Sequence, residues 1–160
     1  MMVETVGAET ILAIVEALPI HVGELKESLR TQDADEILRF GVTIDQALWS
    51  SYRRSVMRKT ALINGKVAAI WGVGGPFLGN IGQPWLITSN EVHKVSPLKF
   101  ARIYQQEVDN MLKLFPKLVN WVDNDYTAAI RVLDIVGFTI EEPEPMGKYN
   151  AQYRKFSIEG

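Results

Sequence analysis

The side chains best equipped for chemistry gather in one short stretch, Thr88-Ser89-Asn90-Glu91-Val92-His93-Lys94-Val95-Ser96-Pro97-Leu98-Lys99. Glu91 and His93 could move a proton, and an unperturbed imidazole titrates near pH ~6.5. Lys94, Ser96 and Lys99 could hold an anion together with the N-terminus of the helix that Ser96 caps, where unpaired N–H groups and the dipole favour negative charge. Thr88 and Ser89 add hydroxyls at the mouth of the same turn. Asp123 and Tyr126 stand further along the chain as a carboxylate and a phenol. Each has a plainer reading. His93 lies among polar residues of a predicted turn and reads first as a surface histidine. Asp123 reads first as a turn or capping acid, Tyr126 as an amphipathic cover over a helix start, and Ser96-Pro97 as an ordinary N-cap flanked by solvated lysines. Glu91 has no evident partner. His21 and His93 are too far apart for a zinc spacing and the chain has no cysteine, so no metal site is expected.

Four tryptophans mark the chain. Trp71, Trp85 and Trp121 fall in predicted strands and read first as core; one or two could instead line a cleft. Trp49 lies on a predicted helix, where an exposed indole would mark an interface. Tyr52-Arg53-Arg54-Ser55-Val56-Met57-Arg58-Lys59 is basic enough for a nucleic-acid contact, but cations also suit a helix C-terminus. Lys plus Arg is 17 and Asp plus Glu is 19, for a net charge of −2, so nucleic acid is an unfavoured partner.

These residues need elements to position them. The chain has 160 residues, 47% hydrophobic and 22% charged, which suits one globular domain, 1–160. A domain of this size buries roughly 70% of its extended-chain surface. The start, Met1-Met2-Val3-Glu4, has no basic region of a signal peptide, and no apolar run approaches the ~20 residues of a membrane helix. Residues 10–18, short and β-branched, read as a strand stopped by Pro19, with a helix as the alternative. Gly23–Arg30 and Asp33–Phe40 read as short helices, the second with Asp33 as N-cap, Glu36 three residues on and Gly41 as its end. Thr43 caps a third helix. Met57–Ile63 and Lys66–Val73 flank Asn64-Gly65, a strong hairpin signal. Gly72–Pro84, rich in Gly and Pro, reads as a loop or bent hairpin. Pro84–Thr88 is a strand. Ser96 and Pro97 open a long helix that ends at Pro116, and Leu118–Val122 is a strand. Asp125 or Thr127 caps a helix closed by Gly137. Phe138–Glu141 and Gln152–Ile158 make a final pair. The alternation in the second half argues for a mixed α/β sheet.

The segment Ala129-Ile130-x-x-Leu133-x-x-Val136-Gly137-Phe138 resembles the helix-to-strand signature of the GNAT superfamily of N-acyltransferases. Pro84-Trp85-Leu86-Ile87-Thr88-Ser89, Phe115-Pro116-x-Leu118-x-Asn120-x-Val122-Asp123 and that helix together resemble a family of small bacteriophage proteins of GNAT fold. This family includes the internal virion protein A of short-tailed phages. The likeness runs over roughly residues 10–160. It implies a GNAT-like α/β (α+β) fold: a mixed, mostly antiparallel sheet of about seven strands, flanked by helices, with a cleft between splayed central strands.

For function the likeness leaves two readings. One is a virion or virion-assembly component with a degenerate acyl-CoA site. Its partners would be other phage virion proteins, and its place the virion or the cytoplasm of the infected bacterium rather than a secreted location. The alternative is an acetyl-CoA-dependent N-acetyltransferase acting on a host protein or small amine. The superfamily cradles the CoA pyrophosphate in a Q/R-x-x-G-x-G/A turn. The corresponding turn here, Thr88 to Pro97, has no glycine, and only Thr88, Ser89, Lys94, Ser96 and Lys99 remain as cofactor-binding candidates. The superfamily places an Asn three residues before the Ala and a Tyr acid four residues after it. Here those positions are Tyr126 and Leu133, and a leucine donates no proton. Glu91, His93 and Tyr126 are then the catalytic candidates, with Asp123 a further base.

Overall fold

The computed structural model describes residues 2–5, 10–75 and 79–160. Met1 of the acidic start and Pro76 of the Gly/Pro-rich stretch lie outside them. The elements run β1 Met2–Thr5, β2 Ile11–Glu16, α1 Pro19–Glu27, α2 Thr31–Phe40, α3 Ile44–Arg54, β3 Ser55–Ile63, β4 Lys66–Gly74 and β5 Ile81–Thr88. They continue with a short 3-10 helix Asn90–Lys94, α4 Pro97–Leu114, β6 Lys117–Asp123, α5 Thr127–Val136, β7 Thr139–Met146 and β8 Ala151–Glu159.

The strands form one sheet in the order β1-β2-β3-β4-β5-β6-β8-β7. Every pairing is antiparallel except β5 with β6. The sheet has eight strands rather than about seven; the addition is β1, four residues long, which pairs with β2 on an edge.

The hairpin β3–β4 follows from Asn64-Gly65, whose φ values of 50° and 82° are those of a type I′ turn. Asn64 also ties β2 to the turn, its Oδ1 accepting from the Ile11 amide at 2.9 Å. Within the described part of the Gly/Pro-rich stretch, Gly72 and Gly74 complete β4, and Gly82 and Pro84 lie within β5, which pairs antiparallel with it. Past its first residue, β4 is buried throughout, as a strand covered on both faces must be. On one face Trp71, Val73, Tyr104, Val108, Met111, Leu133 and Val136 join α4 and α5 to the sheet. On the other, Val22, Leu25, Ile37, Leu48, Tyr52, Ile70 and Ile87 join α1, α2 and α3 to it.

Three helix starts differ from expectation. α1 begins at Pro19, because a proline that stops a strand also suits the first helical position. α2 begins at Thr31 with Arg30 as its cap, so Asp33 is not the N-cap but sits inside the first turn. α5 is capped by neither Asp125 nor Thr127; Tyr126 occupies the cap without a side-chain bond. The Asp125 amide is taken by Asp123 Oδ1, and its carboxylate turns outward to Arg39. Thr43 and Ser96 do cap α3 and α4, accepting from the Gln46 and Lys99 amides. Gly41 and Gly137 end α2 and α5 in the left-handed region.

Candidate functional site

The backbones of β5 and β6 pair at their roots, Ile81 against Lys117 and Gly82 against Leu118. Gly82 permits this contact: a Cβ there would lie 2.6 Å from the Phe115 ring and 2.8 Å from Val73. Beyond Gly82 the two strands part and leave a wedge. Ser89 N–H bonds Ala68 O on the β4 side of β5, so the backbone of the neighbouring Thr88 points the other way, into the wedge.

The chain's own residues fill that wedge. At its narrow end Asn120 Nδ2 donates to Pro84 O at 2.6 Å, and Asn120 Oδ1 accepts from Trp121 N at 2.8 Å. At its wide end α2 enters. Asp33 Oδ2 accepts from Thr88 N at 3.2 Å, from Tyr126 OH at 3.0 Å and from Thr88 Oγ1. Thr88 O accepts from Arg30 N at 3.0 Å. Glu36, one helical turn after Asp33, accepts from Asp123 N at 2.9 Å through Oε2. Tyr153 OH donates to Glu36 O at 2.7 Å, and Arg39 ion-pairs with Asp123 at 3.0 Å and Asp125 at 2.7 Å.

Removal from water shifts these acids. Burial pushes Asp33 up to about 6, against the opposing pull of its bonds to Thr88 and Tyr126 and the charge of Arg30. Burial pushes Glu36 up to about 8, helped by the negative charge of Asp33 and Asp123 and opposed by the Asp123 N–H bond and Arg39. The Tyr126 and Tyr153 phenols are raised above their ordinary range, chiefly by burial and then by the neighbouring carboxylates.

A cleft of about 880 Å³ opens around the wedge. Asp33, Glu36, Trp85, Trp121, Tyr126 and Leu133 all line it. It runs from the α2–α3 side of the sheet to the α4–α5 side.

The residues singled out from the sequence divide between this cleft and structural duties. Thr88 and Tyr126 are in the wedge, both bonded to Asp33. Ser89 is fully buried; its hydroxyl donates to Val67 O and accepts from Glu91 N. Glu91 pairs with Lys94 at 2.5 Å, and that bond holds its carboxyl below the usual range. His93 is exposed at the cleft rim. Ser96 caps α4, and Lys99 pairs with Glu4. Asp123 is buried against Arg39. As a phosphate cradle this turn does not fit: it is a 3-10 helix without glycine, Ser89 faces inward, Lys94 and Lys99 hold carboxylates, and Pro97 brings no N–H.

Trp71 is core, its indole donating to Glu107 at 3.1 Å. Trp85 and Trp121 line the cleft, donating to Ser55 Oγ at 2.6 Å and Glu144 at 2.8 Å. Trp49 is half-buried, edge-on to Tyr52. In the basic run, Arg58 stacks over Tyr52 at 4.0 Å and Lys59 pairs with Glu16, while Arg53 and Arg54 stay exposed. Among the described residues no His/Asp/Glu cluster suits a metal ion, and no helix is long and apolar enough to cross a membrane.

Asp33 and Glu36 were missed as site residues because they read as a capping pair. A signal was present: with Ile37 and Phe40 they fall at the i, i+3, i+4, i+7 spacing of a helix's inward face.

The family model described as "Bacteriophage T7, probable scaffold protein Gp13" matches residues 59–143. Among solved structures the chain is similar to the acetyltransferase of GNAT family from Streptococcus pneumoniae, with a TM-score of 0.62 and 18% identity over 92% of this chain and 98% of that one. It is also similar to the GNAT superfamily phosphinothricin acetyltransferase from Sinorhizobium meliloti, solved in complex with AcCoA. There the TM-score is 0.70 and the identity 13%, over 92% of this chain and 88% of that one. A GNAT-family acetyltransferase from Bacillus anthracis gives 0.66 and 11%, over 99% and 98%. No curated protein sequence matches the chain significantly. These superpositions show the GNAT fold and leave the chemistry to the residues.

Proposed function

The chain belongs to that phage scaffold-protein family, and from this we propose that it is a virion or virion-assembly component which keeps the GNAT fold but not a working acyl-CoA site. One observation carries the reading: the wedge-facing backbone of Thr88 and Asp123, which a ligand inserted between β5 and β6 would need, is already bonded by Asp33, Arg30 and Glu36. The glycine-free turn and the leucine at position 133 support it from the phosphate end and the proton-donor end. Its partners in this reading are other phage virion proteins, met through the outer surface or the rim of the cleft.

A second reading, an acetyl-CoA-dependent N-acetyltransferase, is favoured by the volume of the cleft around the wedge, about 880 Å³, and by Glu36, whose carboxyl burial pushes up to about 8, near the pH at which an ammonium could be relieved of its proton. Thermal unfolding with increasing CoA and acetyl-CoA separates the two. A ligand at 100 times its Kd adds about 2.7 kcal/mol of stability, and each kcal/mol raises the Tm of a chain of this size by roughly 2–4 °C. The expected result is a flat Tm up to millimolar ligand. A saturable rise would overturn the structural reading and establish a cofactor site.

A further inference from the structure

α2 is held to the sheet edge by carboxyl groups rather than by apolar contact alone, and those carboxyls converge. Asp33 and Glu36 come from the helix; Asp123 ends β6 and Asp125 follows it. The opposing cations are Arg39, paired with Asp123 and Asp125, and Arg30, whose guanidinium lies 5.5 Å over the Tyr126 ring. Besides Asp123 on β6, the groups that face the pair among the described residues are uncharged: Thr88 on β5, Tyr126 at the start of α5 and Tyr153 on β8. The cluster therefore holds four carboxyls against two guanidinium groups, and both guanidinium charges are permanent.

We propose that α2 is a proton-operated clasp on the wedge: it stays seated while Glu36 is protonated and lifts away from Thr88 and Asp123 when Glu36 and Asp33 are both ionised, opening the edges of β5 and β6. The direction follows from linkage. Seated, Glu36 holds its proton to about pH 8; released into water it returns to the ordinary value of 4.5. Between those limits the seated state binds more protons than the released one, so each rise of one pH unit multiplies the opening constant by up to about tenfold. Above the upper limit the constant levels off. Asp33 adds to the same slope over the lower part of the range. Glu36 has the right reach for this work, because among the described residues its one hydrogen-bond donor across the wedge is the Asp123 amide, whereas Asp33 Oδ2 gathers three donors and anchors the helix start. The clasp does not depend on whether the cleft takes acyl-CoA, and its test reads no ligand.

Amide hydrogen exchange on the full chain at a series of pH values from 5 to 9, corrected for intrinsic exchange, tests it. The amides of Thr88 and Asp123 report the wedge. The Ser89 amide, bonded to Ala68 on the opposite edge of β5, is the control. The expected result is a loss of protection at Thr88 and Asp123 of at least tenfold between pH 5.5 and 7.5, a plateau above pH 8, and unchanged protection at Ser89. Glu36→Gln, which keeps an acceptor for the Asp123 amide but carries no charge, removes most of the pH slope. Flat wild-type profiles overturn the proposal. So does an equal slope in Glu36→Gln, or a loss that includes Ser89, which would be unfolding of the strand rather than release of the helix. The wild-type profile decides alone if the variant does not fold.

Discussion

Asp33 and Leu133 illustrate how a side chain's neighbours, rather than its type, set its part in this molecule. In the sequence Asp33 precedes an apolar-periodic stretch and has Glu36 three residues later, the signature of a capping pair. In the structure Arg30 takes the cap, because its amide is drawn to Thr88 O, and the helix starts early enough to turn both acids inward. Leu133 was legible: its place on the inward face of α5 follows from helical spacing, and it is 7% exposed in the structure. Leu133→Ala should cost about 2–5 kcal/mol, the range for truncating a buried leucine. Urea unfolding of the variant measures it, and a cost below about 1 kcal/mol would mean that the side chain projects into the cleft without packing. The Glu91, His93 and Lys94 cluster was also legible as a set of residues. That Lys94 is spent on Glu91 was not, since an ion pair across one turn of 3-10 helix depends on how tightly that turn winds.

Elements with their own local signals appear where the sequence places them. The β3–β4 hairpin needs only Asn64-Gly65, and α4 only its Ser-Pro start, its apolar stripe and Pro116. α5 ends at Gly137, with φ at 112°. A β-carbon is costly in that conformation although the space around it is open, its nearest neighbour being Ile158 at 3.9 Å. Gly137→Ala should therefore lower stability by about 1–2 kcal/mol through the backbone alone; an unchanged Tm would show that the helix can end by another route. Elements whose existence depends on a neighbour were less legible. β1 is four residues with no apolar run, and it is a strand because β2 offers it an edge. β7 carries three glutamates and two prolines, reads as a loop beyond Glu141, and continues to Met146 because β8 pairs with it. Prolines and charges suit an edge strand, since they discourage further pairing.

At the scale of the whole molecule, the chain joins a phage scaffold-protein family to a GNAT fold, and the proposed virion role can be tested on the particle itself. Phage particles purified from infected cells should contain this chain in constant ratio to the capsid proteins; its absence from them would count against the virion reading. The sequence alone determined the alternation of strands and helices, the hairpin, most helix ends, the absence of glycine from Thr88 to Pro97 and the leucine at position 133, because each of these is written in residues close together along the chain. The tertiary structure alone decided that β5 and β6 part after Gly82, that α2 seats two carboxyls in the gap, and that Lys99 is already paired with Glu4. Those contacts join residues 55, 87 and 95 positions apart, Asp33 to Thr88, Glu36 to Asp123 and Glu4 to Lys99. The burial that retunes the acids exists only once the sheet has brought such segments together, and no spacing along the chain encodes it.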